Sequence, residues 1–178
     1  MRILALDLAT KFGWACGSPG GDPYTFGSVQ LPKGTGDDLG RFLQPFRDWL
    51  NMALDEMEPT EIVFESPILP GTTNIATVRK LGSLCGVTEL VAVDRKIPVR
   101  EAGMQDVRKH FIGTTKAPKQ LPQKKRRQWL KDLVVSTCIK RGFNVTDDDQ
   151  GDAVALLDYM VAHYAEQAAP PRQPVLML

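Results

Sequence analysis

The chain has 178 residues, of which 43% are hydrophobic and 24% charged, with a formal net charge of +1. That size and balance give one domain with a sizeable core and exclude a disordered or low-complexity chain. There is no apolar run of membrane-spanning length, no signal-like leader, and no CxxC spacing among Cys16, Cys85 and Cys138, so the expected setting is cytoplasmic, with buried thiols in place of disulfides or zinc and with no membrane partner.

In chain order, Arg2 to Leu8 reads as a buried strand, an apolar run interrupted only by Asp7. Lys11 to Gly17 and Tyr24 to Leu31 read as two more strands around a Gly/Pro-rich turn, so the three form an antiparallel meander. Asp37 or Asp38 caps a helix to about Met57, with Leu39, Phe42, Leu43, Phe46, Leu50 and Leu54 on one face. Pro59 helps to stop it. Glu61 to Glu65 is a short buried strand, and Pro67 and Pro70 break the chain after it.

Asn74 caps a helix through about Val93. Gly82 and Gly86 share a face of it, and two glycines so placed predict close packing against the sheet or another helix. Ile97 to Arg100 reads as a fifth strand and Met104 to Phe111 as a short helix. Gly113 to Pro122 is a loop. Gln123 to Lys140 is a helix with Trp129, Leu130, Leu133, Val134, Thr137 and Cys138 on its apolar side. The last helix runs from about Asp149 to Tyr164, and the proline-containing end of the chain, residues 167–178, reads as a loose tail. Three meander strands, then helix–strand–helix–strand, then helices, make an α/β fold around a mixed five-stranded sheet.

The net charge hides an asymmetry. Between Arg95 and Arg141 fourteen basic residues face three acids, a balance of +11 that leaves −10 on the rest of the chain. A basic block on an otherwise acidic chain suits a phosphate-backbone ligand. Within it Lys116, Lys119, Lys124, Lys125, Arg126 and Arg127 cluster around the start of the fourth helix.

The acids supply the chemistry. Asp7 lies in the first buried strand, Glu65 ends the fourth, and Asp149 and Asp152 open the last helix one turn apart. A carboxylate in or just past a buried strand is costly unless paired or metal-bound. Two such acids with an i, i+3 pair point to one cluster for divalent metal, and oxygen-only donors suit Mg²⁺, with Mn²⁺ as a substitute. Two ions about 3.5–4 Å apart stabilise the attacking and leaving oxygens when water displaces a phosphodiester. In this reading Asp7 touches both ions, Glu65 holds one, and Asp149 and Asp152 hold the other, directly or through water. Lys124 or Lys125, and Arg108 or Lys109, are the candidates for contacting the scissile or neighbouring phosphates. Asp147 and Asp148 are read as helix-start acids. Without metal the four carboxylates repel, so some take up protons.

These elements and acids, in this order, resemble the ribonuclease H-like nucleases, and within them the RuvC family of Holliday junction resolvases, as a phage-type or divergent member. The likeness is carried by LALDLATKFGW around Asp7, IVFESP around Glu65, Asn74 with Arg79-Lys80-Leu81-Gly82 and Gly86-Val87, the segment Met104 to Gly113, and Asp149-Gln150-Gly151-Asp152-Ala153. It covers about Arg2 to Tyr164 and implies one nuclease domain over residues 1–166. The chain departs from the family at Ala9-Thr10, where a glycine is usual, and at the more basic, proline-rich stretch Lys116 to Gln128. Ile68 and Leu69 stand where some members have a junction-probing aromatic.

The resemblance implies a Mg²⁺-dependent endodeoxyribonuclease with two metals per site that resolves four-way DNA junctions as a homodimer, in a bacterial cell or a phage-infected host. A related ribonuclease H-fold nuclease, acting on other branched DNA or on RNA-containing substrates, is the alternative. An actin-like ATPase is excluded because Asp7-Leu8-Ala9-Thr10 lacks the glycines of a phosphate loop and 178 residues do not hold two lobes. A catalytically dead DNA-binding module is disfavoured by the presence of all four acids.

Overall fold

The computed structural model describes residues 1–21, 23–66 and 74–168. The Pro67–Gly71 loop with Ile68 and Leu69, and the tail from residue 169, lie outside the described residues. Five strands and five helices are arranged along the chain in the order β1 Ile3–Asp7, β2 Lys11–Gly17, β3 Thr25–Gln30, α1 Leu39–Met57, β4 Glu61–Glu65, α2 Ile75–Asp94, β5 Val99–Ala102, α3 Met104–Ile112, α4 Gln123–Lys140 and α5 Asp148–Ala168. This is the expected mixed α/β fold.

The strands form one sheet in the order β3-β2-β1-β4-β5. β1, β2 and β3 pair antiparallel, while β1 with β4 and β4 with β5 run parallel. β1 and β4 are central and covered on both faces, which is why Ile3 to Leu6 and Ile62 to Phe64 are apolar at every position and fully buried. Side chains alternate between the two faces. Leu4, Leu6, Ile62 and Phe64 enter one core with Phe42, Phe46 and Leu50 of α1 and Leu84 of α2. Ile3, Ala5 and Val63 enter the other with Val107 and Phe111 of α3, Val134 and Cys138 of α4, and Ala153 to Leu157 of α5. The same alternation puts Asp7 and Glu65 on the second face, under α5.

Local chemistry sets the ends of the elements. The Asp38 carboxylate accepts from the Arg41 backbone N–H at 2.9 Å, and Asn74 accepts from that of Ala76 at 2.8 Å, each capping its helix as the sequence leads one to expect. Glu58, in the left-handed region at φ 47°, ends α1. The fifth strand is displaced by two residues from its expected place at Ile97 to Arg100. Ile97 donates its backbone N–H to the Ala92 carbonyl and so belongs to the end of α2, and pairing with β4 begins only at Val99. The last helix continues to Ala168, past Tyr164. Gly82 and Gly86 do not seat α2 on its own sheet: a Cβ at either would meet nothing within 4 Å.

α5 is strapped across the sheet at both ends. At its far end the Tyr164 hydroxyl donates to the buried Glu61 carboxylate, which also accepts from Arg100 Nε at 2.5 Å. At its start the Asp149 carbonyl lies directly over Gly13, the β2 residue paired with Asp7. A Cβ on Gly13 would fall 1.9 Å from that carbonyl oxygen. Gly13→Ala is therefore expected to push the first turn of α5 off the sheet and cost about 1–3 kcal/mol, an overpacking penalty. Urea denaturation should show a lower midpoint at unchanged slope; an unchanged midpoint would refute the close seat.

Candidate active site

The end of the sheet where β1 and β4 finish gathers the sequence-derived acids. Leu6 pairs with Phe64, so Asp7 and Glu65 are neighbours at the carboxyl ends of adjacent parallel strands. α5 brings Asp149 and Asp152 down on them because Gly13 lets its backbone approach so closely. The Asp7 carboxyl is held well above the usual carboxylate range, chiefly by burial and then by the charges of Asp152, Glu65 and Asp149. Burial, with repulsion from Asp152 next in size, pushes Glu65 up to about 7. Asp152 is raised by burial, against the opposing pull of Arg108 and Lys131. Burial also raises Asp149, despite its bond to Lys11. Asp7 thus lies within the fields of the other three expected acids.

The basic residues divide differently from the sequence reading. Arg108 on α3 acts on both Asp152 and Glu65. Lys109, next to it, is exposed, as are Lys116 and Lys119 in the loop before α4. Lys124 and Lys125 are exposed in the first turn of α4, and neither is among the charges felt by the four acids. The lysine that reaches the cluster is Lys131, two turns further on. It pairs with Asp148, and its ammonium stabilises the ionised forms of Asp7, Glu65 and Asp152. A second lysine, Lys11 at the start of β2, bridges Asp147 at 2.8 Å and Asp149 at 3.2 Å.

Lys131 and Lys11 are absent from the sequence-derived set. Lys131 carried one signal: it stands in line with Val134 and Cys138, three and seven residues on and both buried. Lys11 carried none beyond its place after the Asp7 turn. Asp147 takes the capping role expected of it. Its Oδ1 accepts from the Gln150 backbone N–H at 2.8 Å, and its Oδ2 accepts from Ser28 Oγ at 2.8 Å.

Among the described residues no three His, Cys, Asp or Glu side chains stand close enough to hold a metal ion as they are. The donor chemistry still fits a hard divalent cation: four carboxylates, raised by burial and mutual repulsion, with only Lys131, Arg108 and Lys11 to offset them. Lys11 holds the Asp149 carboxylate at 3.2 Å.

Several solved structures share this architecture. T. thermophilus RuvC in complex with Holliday junction substrate superposes with a TM-score of 0.67 at 14% identity, covering 94% of this chain and 97% of that one. Another Thermus thermophilus RuvC structure gives 0.66 at 17% identity, covering 94% and 96%. The yeast mitochondrial Holliday junction resolvase Ydc2 gives 0.56 at 16% identity, covering 93% and 82%. No protein-family model and no curated protein sequence matches the chain. These likenesses define an α/β fold shared with known structures. Its particular form is that of the Holliday junction resolvases RuvC and Ydc2, in a divergent sequence.

Glu65 gives the fold a pH dependence. Its folded pKa of about 7 lies above the ordinary 4.5, so the folded chain binds this proton more tightly than the unfolded chain does. The stability that Glu65 contributes is then fullest below pH 4.5 and is lost as pH rises towards 7. In EDTA, wild type should lose on the order of 3 kcal/mol more than Glu65→Gln between those limits. Parallel stability curves for the two proteins would contradict this environment for Glu65.

Proposed function

We propose that this protein is a metal-dependent, structure-selective endonuclease that resolves four-way DNA junctions. The observation that carries the reading is the convergence of Asp7, Glu65, Asp149 and Asp152 at one end of the sheet, with Lys131 and Arg108 at its edge. The fold shared with RuvC and Ydc2 supports the same reading.

Asp7, Glu65, Asp149 and Asp152 would hold two Mg²⁺ ions, or Mn²⁺ in their place. When bound, the ions supply Lewis-acid stabilisation for the attacking and leaving oxygens of the phosphodiester. The chain's own residues do the rest. Burial and mutual repulsion of Asp7 and Glu65 disfavour their ionised forms, so a bound cation would favour both. Lys131 and Arg108 offset the negative charge that a phosphate brings towards the acids. Lys124 and Arg127 are assigned to DNA binding, with Lys109, Lys116 and Lys119; Lys125, about a third of a turn away on the helix, and Arg126, folded back onto the Leu121 and Lys119 carbonyls, are not. The place of action is the cytoplasm of a bacterial cell or phage-infected host; among the described residues no helix is long and apolar enough to cross a membrane.

Two symmetric cuts call for a two-fold assembly. The outer face of α2 suits a homodimer. Ile75 and Val93 are 76% and 72% exposed, and Leu90 is 63% exposed, on the side where Gly82 and Gly86 stand open. A second copy of this face would bury the apolar side chains and use the glycines for close helix approach. Gly86→Leu should shift sedimentation from dimer towards monomer at micromolar concentration. A wild-type chain that sediments as a monomer would sink the dimer.

Asp7→Asn should abolish cleavage while leaving junction binding within a few-fold of wild type, since Asp7 is assigned to the reaction and not to DNA contact. Loss of binding equal to loss of cutting would argue against that assignment. Wild type should be incubated with Mg²⁺ and, side by side, four-way, forked and linear DNA and an RNA–DNA hybrid. Preferential cutting of the four-way substrate is the expected result; preference for the hybrid or the fork would move the assignment to the related ribonuclease H-fold nucleases.

A further inference from the structure

α4 and α5 run in the same direction at a constant offset. Lys131 pairs with Asp148 and Arg141 with Asp158, each 17 residues apart, and Val134 lies against Gly151 between them. α5 begins at Asp148, so the part of α4 before Lys131 has no α5 beside it. α5 starts over Gly13, at the Asp7 end of the sheet, and reaches Glu61, at the opposite end, through Tyr164. The first two turns of α4 therefore extend about 12 Å beyond the acids, at 1.5 Å per residue.

One stripe of α4 changes character at that level. Cys138 and Val134 lie on it and are buried in the core with α5. Lys131 comes next, at the acids. Arg127 and Lys124, at i−4 and i−7 from Lys131, continue the stripe and are exposed. Their neighbours in the basic cluster do not share it. Lys125 falls about a third of a turn away. Arg126 is folded back, donating from Nε to the Leu121 carbonyl at 3.0 Å and from a terminal nitrogen to the Lys119 carbonyl at 2.9 Å. That pair of bonds fastens the preceding loop to the helix.

We infer that Arg127 and Lys124 hold the first and second phosphates next to the scissile one, on the strand being cut, so that α4 leads that strand into the acids. The inference rests on the nuclease reading above and adds a register to it. Each basic residue lies about one helical turn, 5.4 Å, beyond the last, a stride comparable with that of neighbouring phosphates on one strand. Arg126 serves as a positioning residue for the loop, and Lys125 faces away from the strand.

The test combines single charge removals in protein and DNA. Four-way junctions carrying one uncharged methylphosphonate at each of the first three linkages on either side of the cleaved bond are bound without divalent metal and cut with Mg²⁺. For wild type, neutralising the first and second phosphates on one side should weaken binding. Arg127→Ala should erase the effect of the first and Lys124→Ala the effect of the second, while Arg127→Lys and Lys124→Arg retain both. Each alanine variant should also lower the magnitude of the log–log salt slope by about 0.7–0.9, and Lys125→Ala should leave it unchanged. A wild type that cuts the junction, with phosphate effects that every alanine variant retains or with equal slope losses for Lys124, Lys125 and Arg127, overturns this inference alone. A wild type that binds and cuts no branched DNA overturns the nuclease reading and this inference with it.

Discussion

Repulsion among four carboxylates at one end of a buried sheet is the constraint on which the rest of the structure depends. Asp7 and Glu65 are placed together by the parity and parallel pairing of β1 and β4, and nothing in the sheet relieves them. α5 then adds Asp149 and Asp152. A fold that crowds like charges in this way needs compensating stability elsewhere. Here it comes from the apolar run Ala153 to Leu157, buried in the second core, and from the straps at both ends of α5.

The two lysines at the site show how this tension is divided. Lys11 crosses from β2 to the start of α5 and ties Asp149 to the cap at Asp147, which Ser28 of β3 also holds. Lys131 crosses from α4, pairs with Asp148 and offsets Asp7, Glu65 and Asp152. Lys131 is bound to an acid next to the central four, and Lys11 to one such acid and to Asp149 of the four itself. The missing side chain at Gly13 is part of the same solution, since no other residue there would let the Asp149 backbone sit on the strand.

Much of this was legible in the sequence because it depends on one-dimensional patterns. Apolar runs carrying an acid in or at the end of them defined β1 and β4, and acids so placed pointed to Asp7 and Glu65 sharing one cluster. The i, i+3 spacing put Asp149 and Asp152 together. What could not be read depends on how elements are offset in space. The 17-residue offset between α4 and α5 selects Lys131 over Lys124 or Lys125 as the site's lysine, and no local pattern encodes it. Ile97 reads as strand by composition, yet its N–H is taken by Ala92 at the end of α2. Gly82 and Gly86 predicted close packing, and among the described residues they find none.

The central claim is that these carboxylates form one site whose missing charge is a divalent cation. The most direct measurement is Mn²⁺ titration calorimetry of the whole chain at pH 7, in two buffers of different ionisation enthalpy. With Glu65 near 7 and Asp7 also raised well above its ordinary value by burial and its neighbours, cation binding must displace protons. The account predicts saturable binding, with proton release that shrinks as the pH is raised above 7, and binding that is lost in Asp7→Asn. Absence of saturable binding, or binding that releases no protons at pH 7 and survives Asp7→Asn, would contradict it.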